Sequence, residues 1–397
     1  MKVHNINQRF LIKVIILFSI FYFLFLVFTY RRDYKGYKDY VEDLLLTPIG
    51  DEIVYLNGLN FGSVFYLHGN YSCIHGGKEY SVIFTMDKEM YEKANMVMYF
   101  DSQIIHRDFY QPPPLNNKIS ILHGSESPQN SHCFSNAFCV ERFNWTISLT
   151  GDMKHWYFNS VSAFPIKDNN RENRFDFNRD VWSKKMRSDT NNLSSIGDSG
   201  IVAWIASNCE EHVYDNRLEY IKEMMNYIRV DSYGKCLNNI QMKEDGSTQR
   251  TSKNLVVQKY KFYLAFENSL CENYITEKTL DCLELGVVPV IMAHPSALKI
   301  LPKGSYIYAG DYKSSKDLAK YLKYLDENDI EYQKYFNWRT NSTSIEQWYN
   351  ALPIDVDACV IFNFYQNWKN GKFPMHKNAP FLDPDRYCLP YDYFRIK

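Results

Sequence analysis

The sequence predicts an α/β protein of two folded domains, the second built on a parallel sheet with crossover helices, carried on one membrane-spanning helix. Three observations lead there. The chain has 397 residues, which at about 100 to 200 residues per domain suggests two domains. Short apolar runs bounded by polar or proline-rich loops read as buried strands, and in the second half they alternate with amphipathic helical stretches. Residues Phe10 to Tyr30 are predominantly apolar, and about 20 such residues cross a bilayer core of about 30 Å.

That N-terminal run, FLIKVIILFSIFYFLFLVFTY, carries Lys13 as its one charge. A cleaved signal peptide is the alternative, but the apolar core exceeds the usual length of about 7 to 15 residues and no A-x-A-like site follows. Lys2, Arg9 and Lys13 precede or open the span and Arg31, Arg32, Lys35 and Lys38 follow it, so the positive-inside count does not decide orientation. Four N-x-S/T sequons, at Asn70, Asn144, Asn192 and Asn341, all lie on the C-terminal side and favour a lumenal or extracellular body. Nine cysteines point the same way. Their spacing contains no C-x-x-C pair, which removes zinc-ribbon and thioredoxin-type motifs, and their odd number leaves at least one thiol unpaired within the chain.

Gly36 to Ile53 is polar and tyrosine-rich without clean periodicity and reads as a stem. In the first domain Ser81–Lys88, Met96–Ser102 and Lys118–Gly124 are buried strands. Gln111 to Pro114 (QPPP) can be neither helix nor central strand. The polar stretch Lys167 to Asp198 holds the domain boundary. Beyond it, Ile201–Ser207 is a strand, and Asp215–Arg229 is a helix with Leu218, Ile221, Met225 and Ile228 on one face. The short Val230–Gly234 and the strand Lys261–Glu267 come next. Thr276–Leu285 is a helix with Thr276 at its N-cap and Gly286 at its C-terminal end, and Val287–Met292 is a buried strand. Ser314–Asp329 is a helix opened by a Ser314-x-x-Asp317 capping box and burying Leu318, Leu322 and Leu325.

Charge excludes one class of partner. With 45 Lys+Arg against 46 Asp+Glu there is no global reason to bind a nucleic-acid backbone, so an acidic substrate must meet a local site. The informative segment is Tyr260 to Met292, where a strand ends at Glu267-Asn268 and a helix begins at Thr276-Glu277-Lys278. In open parallel sheets ligands sit at the carboxyl ends of strands, facing helix N-termini. Lys278 in a first helical turn opposes the helix dipole unless an anion binds nearby or Glu277 offsets it; spacing leaves both readings open. Arg217 could reach the same face or be an ordinary solvated arginine. Tyr233 and Tyr274 could stack on a base, hydrogen-bond a sugar, or pack in the core. In the first domain, Glu126 follows a strand in G-S-E-S-P, where a carboxylate facing a cleft is a candidate general base. Weaker motifs are Gly197-Asp198-Ser199-Gly200, which lacks the surroundings of a serine protease, Asp355-Val356-Asp357 in the tail, and the His132, Cys133, Cys139 group, which lacks repeated ligand spacing. No metal site is expected.

Taken together, FYLAFENSLCENYITEK followed by LGVVPVIM closely resembles the signature of the GDP-fucose-dependent α1,3-fucosyltransferases. The resemblance extends to VAWIASNC, VDSYGKC, YFNWR ending at Arg339, and upstream to ESP and FNWT, covering about residues 120 to 345 in register. It implies a GT-B architecture of two Rossmann-like domains facing a cleft: cytoplasmic tail 1–9, anchor 10–30, stem 31–53, acceptor-side domain 54–190, GDP-fucose-binding domain 191–345, and a tail 346–397 packing back on the body. It also implies a single-pass type II Golgi protein with a lumenal body, which orients the anchor. The implied reaction is an inverting transfer of L-fucose from GDP-β-L-fucose to the 3-hydroxyl of GlcNAc, with Glu126 as general base. Arg217 and Lys278 would neutralise the diphosphate, and Tyr233, Glu267, Asn268, Tyr274 and Glu277 would complete the donor site. No cofactor is then required, a divalent cation being at most stimulatory. The partners are GDP-fucose, a GlcNAc-containing glycan and the membrane, with a homodimer left open; the alternative is a non-catalytic relative that binds GDP-fucose or glycan.

Departures from the family pattern accompany the resemblance. After FNWT this chain reads SLTGDMKHWYFN (Ser148 to Asn159), where many relatives have a YRRDSD-like stretch. The helix after TEK is TLDCLEL rather than a WRNAL-like sequence. Where relatives tie the tail to the first domain through C-x-x-C, only Cys359 stands, with Cys388 much later, and a Cys73–Cys359 bridge is ventured.

Overall fold

The computed structural model describes residues 52–57, 69–101, 118–124, 126–148, 201–209, 216–241, 249–340, 358–372, 382–390 and 392–394. The expected anchor Phe10–Tyr30, the boundary at Lys167–Asp198, the QPPP loop, Asn192, Asn341, Gly197–Gly200 and Asp355–Asp357 lie outside these residues. Among the described residues no helix is long and apolar enough to cross a membrane.

The first domain is a six-stranded sheet of Glu52–Asn57 (β1), Gly69–His75 (β2), Lys78–Thr85 (β3), Met96–Phe100 (β4), Ile119–Gly124 (β5) and Trp145–Ser148 (β6), ordered β2-β3-β1-β4-β5-β6. Neighbours are parallel except for the β2–β3 hairpin. β4 and β5 are buried at every position, which is why their sequences read as continuous apolar runs rather than alternating ones. The hairpin turns on Gly76 and Gly77, both at positive φ, as a two-residue turn compatible with strand twist requires.

β1 corrects the expected stem, whose last two residues belong to this sheet. Ile53 and Val54 are buried and β1 sits between β3 and β4, so tertiary pairing makes a central strand of a segment without a clear period. β2 and β6 also escaped the sequence reading. A four-residue helix, Ala137–Val140 (α1), packs beside β5, and the Cys133–Cys139 disulfide cinches the loop before it.

The second domain is an all-parallel sheet of Val202–Ala206 (β7), Val230–Gly234 (β8), Phe262–Phe266 (β9), Val288–Met292 (β10) and Ile307–Tyr308 (β11), ordered β11-β10-β9-β7-β8. Helices Arg217–Met224 (α2), Gln249–Val257 (α3), Glu277–Leu285 (α4), Ser315–Glu327 (α5) and Asp329–Gln333 (α6) contribute to two apolar layers, one on each face of the sheet. α2 is shorter than the expected Asp215–Arg229 helix. It ends at Met224, and hydrogen-bonded turns then carry Ile228 into the core just before β8. α5 starts after Ser314, whose hydroxyl accepts from Asp317 N–H at 3.2 Å, and Leu318, Leu322 and Leu325 are fully buried. Truncating any one of the three to alanine removes packing worth about 2 to 5 kcal/mol.

Two late segments pack back on the body, and the second of them links the two domains. Ala358–Lys369 (α7) lies on the first sheet, with Ile361 and Phe362 packed among Val82, Phe84 and Met96. The Cys73–Cys359 disulfide locks it there, and Gln366 and Lys369 donate to the buried carboxylate of Glu52 at 3.0 and 2.8 Å. Further on, Leu382 enters the first domain's core, Pro384–Tyr387 forms a short helix (α8), and Phe394 enters the second domain's core. Cys388 is bonded to Cys271 between these points. A fourth disulfide, Cys209–Cys236, ties the loops that follow β7 and β8.

His123 on β5 is buried against Phe100, and desolvation pushes its pKa down to about 4. The unfolded chain therefore binds more protons than the folded one between about pH 6.5 and 4, and stability falls as pH falls through that window. A shift of this size is worth about 3 kcal/mol. Urea unfolding of wild type and His123→Leu at pH 7 and pH 4.5 should show the acid-dependent loss reduced by about that amount in the variant.

Candidate active site

The site is built where the carboxyl end of β5 meets that of β9. β5 ends at Gly124, and the chain turns through Glu126 into Ser127-Pro128. A Cβ at Gly124 would lie 2.5 Å from the Phe134 ring and 3.2 Å from Asp101 Cβ, so only glycine lets the 127–134 loop fold over this strand end. Asp101, buried at the end of β4, anchors that loop by accepting from Ser131 Oγ and Cys133 N–H, each at 2.9 Å.

On the other side, β9 delivers Glu267, which has no exposed surface. Its carboxylate accepts from Thr276 N–H at 2.8 Å, from Thr276 Oγ1 at 2.9 and 3.0 Å, and from Lys278 Nζ at 3.0 Å. Thr276 is the N-cap of α4, and its hydroxyl accepts from Lys278 N–H at 3.4 Å and Nζ at 3.0 Å. Glu267 is thus the carboxylate that balances Lys278. Glu277, the neighbouring carboxylate that the sequence offered as one possible offset, is farther from Nζ at 3.7 Å. Burial lowers the Lys278 pKa, but the charges of Glu267 and Glu277 outweigh it and the net direction is upward. Burial raises Glu277, while Lys278 and Lys253 bring it below the usual carboxylate range.

Between β9 and α4 the loop Asn268–Ile275 reaches across to the first domain. Tyr274 donates its hydroxyl to Glu126 Oε2 at 3.1 Å, and Asn268 Nδ2 stands 3.5 Å from the same oxygen. Ser127 and Ser269 hydroxyls bond to each other, and Asn130 Nδ2 donates to Ser269 Oγ at 3.1 Å. Glu126 itself is open to the cleft, yet neighbouring protein displaces enough water from its carboxyl to raise its pKa, with Lys278 the largest opposing influence. A carboxyl raised above its usual range in this way is a better base for a weakly acidic hydroxyl than an unperturbed one.

The structure therefore brings Glu126, Glu267, Asn268, Tyr274, Glu277 and Lys278 together. Arg217 opens α2 and is 2% exposed; it donates to Phe266 O and Asn208 O at 3.1 Å each, and its charge acts on Lys278. It joins the site from beneath rather than from solvent. Tyr233 stays with the core, its hydroxyl bonded to Tyr260, which in turn donates to Asp231. Packing, the alternative weighed from sequence, describes its surroundings. Glu267 stands behind Lys278 rather than in the open cleft, because β9 carries it into the layer under α4. Ser127, Ser269 and Asn130 were not singled out from sequence; their signal is adjacency to Glu126 and Asn268, which acquires meaning only once the two segments face each other.

Among the sequons, Asn70 is exposed on edge strand β2. Asn144 is half-buried and its Oδ1 accepts from Ser120 N–H and Oγ. Among the described residues no cluster of three or more His, Cys, Asp or Glu side chains could hold a metal ion. The ninth cysteine, Cys282, is a buried thiol on α4 that donates to Lys278 O at 3.0 Å.

Residues 197–373 match the family model of the glycosyltransferase family 10 (fucosyltransferase) C-terminal domain. The chain is 32% identical over 274 residues to glycoprotein 3-alpha-L-fucosyltransferase A of Drosophila melanogaster, covering 67% of this chain and 48% of that protein. It is 40% identical over 143 residues to GDP-fucose protein O-fucosyltransferase 3 of Xenopus tropicalis, covering 35% of this chain and 30% of that protein. The chain thus spans about half or less of the length of these relatives. In fold it resembles the solved structure of an alpha1,3-fucosyltransferase with GDP-fucose, at a TM-score of 0.50 and 17% identity, over 82% of this chain and 92% of the other.

The pairing at Lys278 is asymmetric: its side chain is 22% exposed and that of Glu267 is 0% exposed. Removing the lysine strands a carboxylate without water, whereas removing the carboxylate leaves an ammonium that can reach solvent. Lys278→Met should therefore destabilise by about 3 kcal/mol and Glu267→Gln by clearly less, as read from urea unfolding at pH 7.

Proposed function

Since residues 197–373 belong to the glycosyltransferase family 10 (fucosyltransferase) domain family, we propose that this chain transfers L-fucose from GDP-β-L-fucose to an acceptor hydroxyl, with inversion. The observation that carries the reading is Glu126, a carboxyl with a raised pKa, set across the cleft from a helix N-terminus bearing Lys278.

The chemistry follows from these groups. Glu126 takes the proton of the attacking hydroxyl as its oxygen bonds to the anomeric carbon. The bond from that carbon to the β-phosphate oxygen breaks, and its electron pair leaves with GDP. One displacement inverts the centre, so a single base suffices. The charge that develops on the diphosphate meets Lys278 and the positive end of the α4 dipole, with Arg217 adding positive charge behind them. Asn268 and Glu277 supply hydrogen-bonding groups for donor hydroxyls. We propose that these cations do the work a divalent metal does in other sugar transferases, so that none is required.

The acceptor we favour is the 3-hydroxyl of GlcNAc in a glycan, in keeping with the Drosophila relative's name. A second reading, transfer to a hydroxyl of a protein side chain, is favoured by the names of the O-fucosyltransferase 3 relatives. The four disulfides support an oxidising compartment; together with the apolar Phe10–Tyr30 they favour a Golgi type II protein with its body in the lumen.

The decisive assay offers GDP-fucose with labelled fucose to the purified chain, alongside an N-acetyllactosamine glycan, a trimmed N-glycan core and a folded disulfide-rich protein. Product on a glycan supports the first reading and product on the protein alone supports the second. No product with GDP-fucose still bound points to a non-catalytic relative. Glu126→Gln should lower transfer by about a hundredfold or more with GDP-fucose affinity nearly unchanged, and Lys278→Ala should mainly weaken GDP-fucose binding. Transfer should persist in excess chelator; complete, metal-restorable loss would remove Lys278 and Arg217 from the role given to them.

A further inference from the structure

Glu126 is gripped by one oxygen only. Tyr274 Oη donates to Oε2 at 3.1 Å and Asn268 Nδ2 approaches the same atom at 3.5 Å, while Oε1 has no protein partner among the described residues. Both donors belong to the opposite domain. We propose that Tyr274 is a positioning residue: with Asn268 it holds Oε2, turns Oε1 toward the acceptor as the proton-accepting atom, and makes Glu126 a competent base only while the two domains are apposed. This rests on the reading of Glu126 given above.

The physical need is specific. The terminal torsion of a glutamate is broad and roughly two-fold, so a carboxylate on a turn presents either oxygen at varying angles unless something fixes it. The Tyr274 ring can fix it because the ring is itself immobile, 1% exposed on a loop pinned at several points. Tyr274 N–H donates to Cys271 O at 3.0 Å, Asn273 N–H to Ser296 Oγ at 2.8 Å, and Glu272 N–H to Tyr387 O at 2.7 Å. Cys271 is disulfide-bonded to Cys388, between the residues that enter the two cores. Burial and the Glu126 charge hold the phenol protonated, so it donates at every pH the protein meets. The charged groups that bear on this pair are Lys278 and Glu277 from the first turn of α4 and Glu267 from the end of β9.

Tyr274→Phe in the full chain removes the hydroxyl and keeps the ring. A hydrogen bond to the anion lowers a carboxyl's pKa, so its loss raises it. The acid limb of kcat/KM should move up by about half to one pH unit, and kcat should fall about tenfold or more, with the GDP-fucose Kd within about twofold of wild type. Independently of transfer, the infrared carboxylate band that Glu126→Gln abolishes should titrate higher in Tyr274→Phe by the same interval. An unmoved band and acid limb, with weakened GDP-fucose binding, would overturn the proposal and return Tyr274 to the donor pocket. A band that moves in Tyr274→Phe, where the wild-type protein transfers nothing, would uphold the hydrogen bond's role while sinking the transferase reading.

Discussion

A carboxylate with no access to water must be satisfied completely, and the site depends on how this chain satisfies Glu267. Four donor contacts from Thr276 and Lys278 meet it. They fix the start of α4 to the end of β9, and so anchor both ends of the intervening loop. That loop brings Asn268, Ser269 and Tyr274 to the turn that carries Glu126. Lys278, an unfavourable residue for a first helical turn, is tolerated because the buried charge beneath it outweighs the dipole. The same arrangement leaves its ammonium at the cleft, where a second anion can share it.

The two domains are tied together from outside the two sheets, while α7 is bolted to the first sheet alone by a disulfide and by the Glu52 carboxylate. The segment from Leu382 to Phe394 spans both cores and is bonded to the Asn268–Ile275 loop through Cys271. Linking residues far apart in sequence restricts the unfolded chain most, and the Cys73–Cys359 separation is 286 residues. The base and the donor-side groups come from different domains, so this clasp bears on chemistry as well as stability.

Much of the second domain was legible because local rules agree there. Continuous apolar runs, a threonine N-cap, a glycine C-cap at positive φ and a serine cap before three leucines at helical spacing each point to the element found. The first domain was less legible. β1 has no clean alternation, since neighbours cover both its faces, and β2 is a polar edge strand whose pairing is set by the Gly76-Gly77 turn. At the end of α2 a helical pattern continued past the point where turns take over, because Ile228 is buried by the sheet rather than by a helix face.

The sequence by itself determined the α/β class, most of the strands and helices of the second domain, the motif residues from Glu126 to Lys278, and the parity that leaves one thiol over. These follow from local pattern and composition, which act over a few residues. Only the tertiary structure decided that the buried Glu267, more closely than Glu277, balances Lys278, that Tyr233 packs in the core, that Cys271 pairs with Cys388, and that Tyr274 grips one oxygen of Glu126 across the cleft. Each of these is a contact between segments distant in the chain or a choice among neighbouring partners. Such choices turn on burial and direction, which no spacing along the sequence encodes.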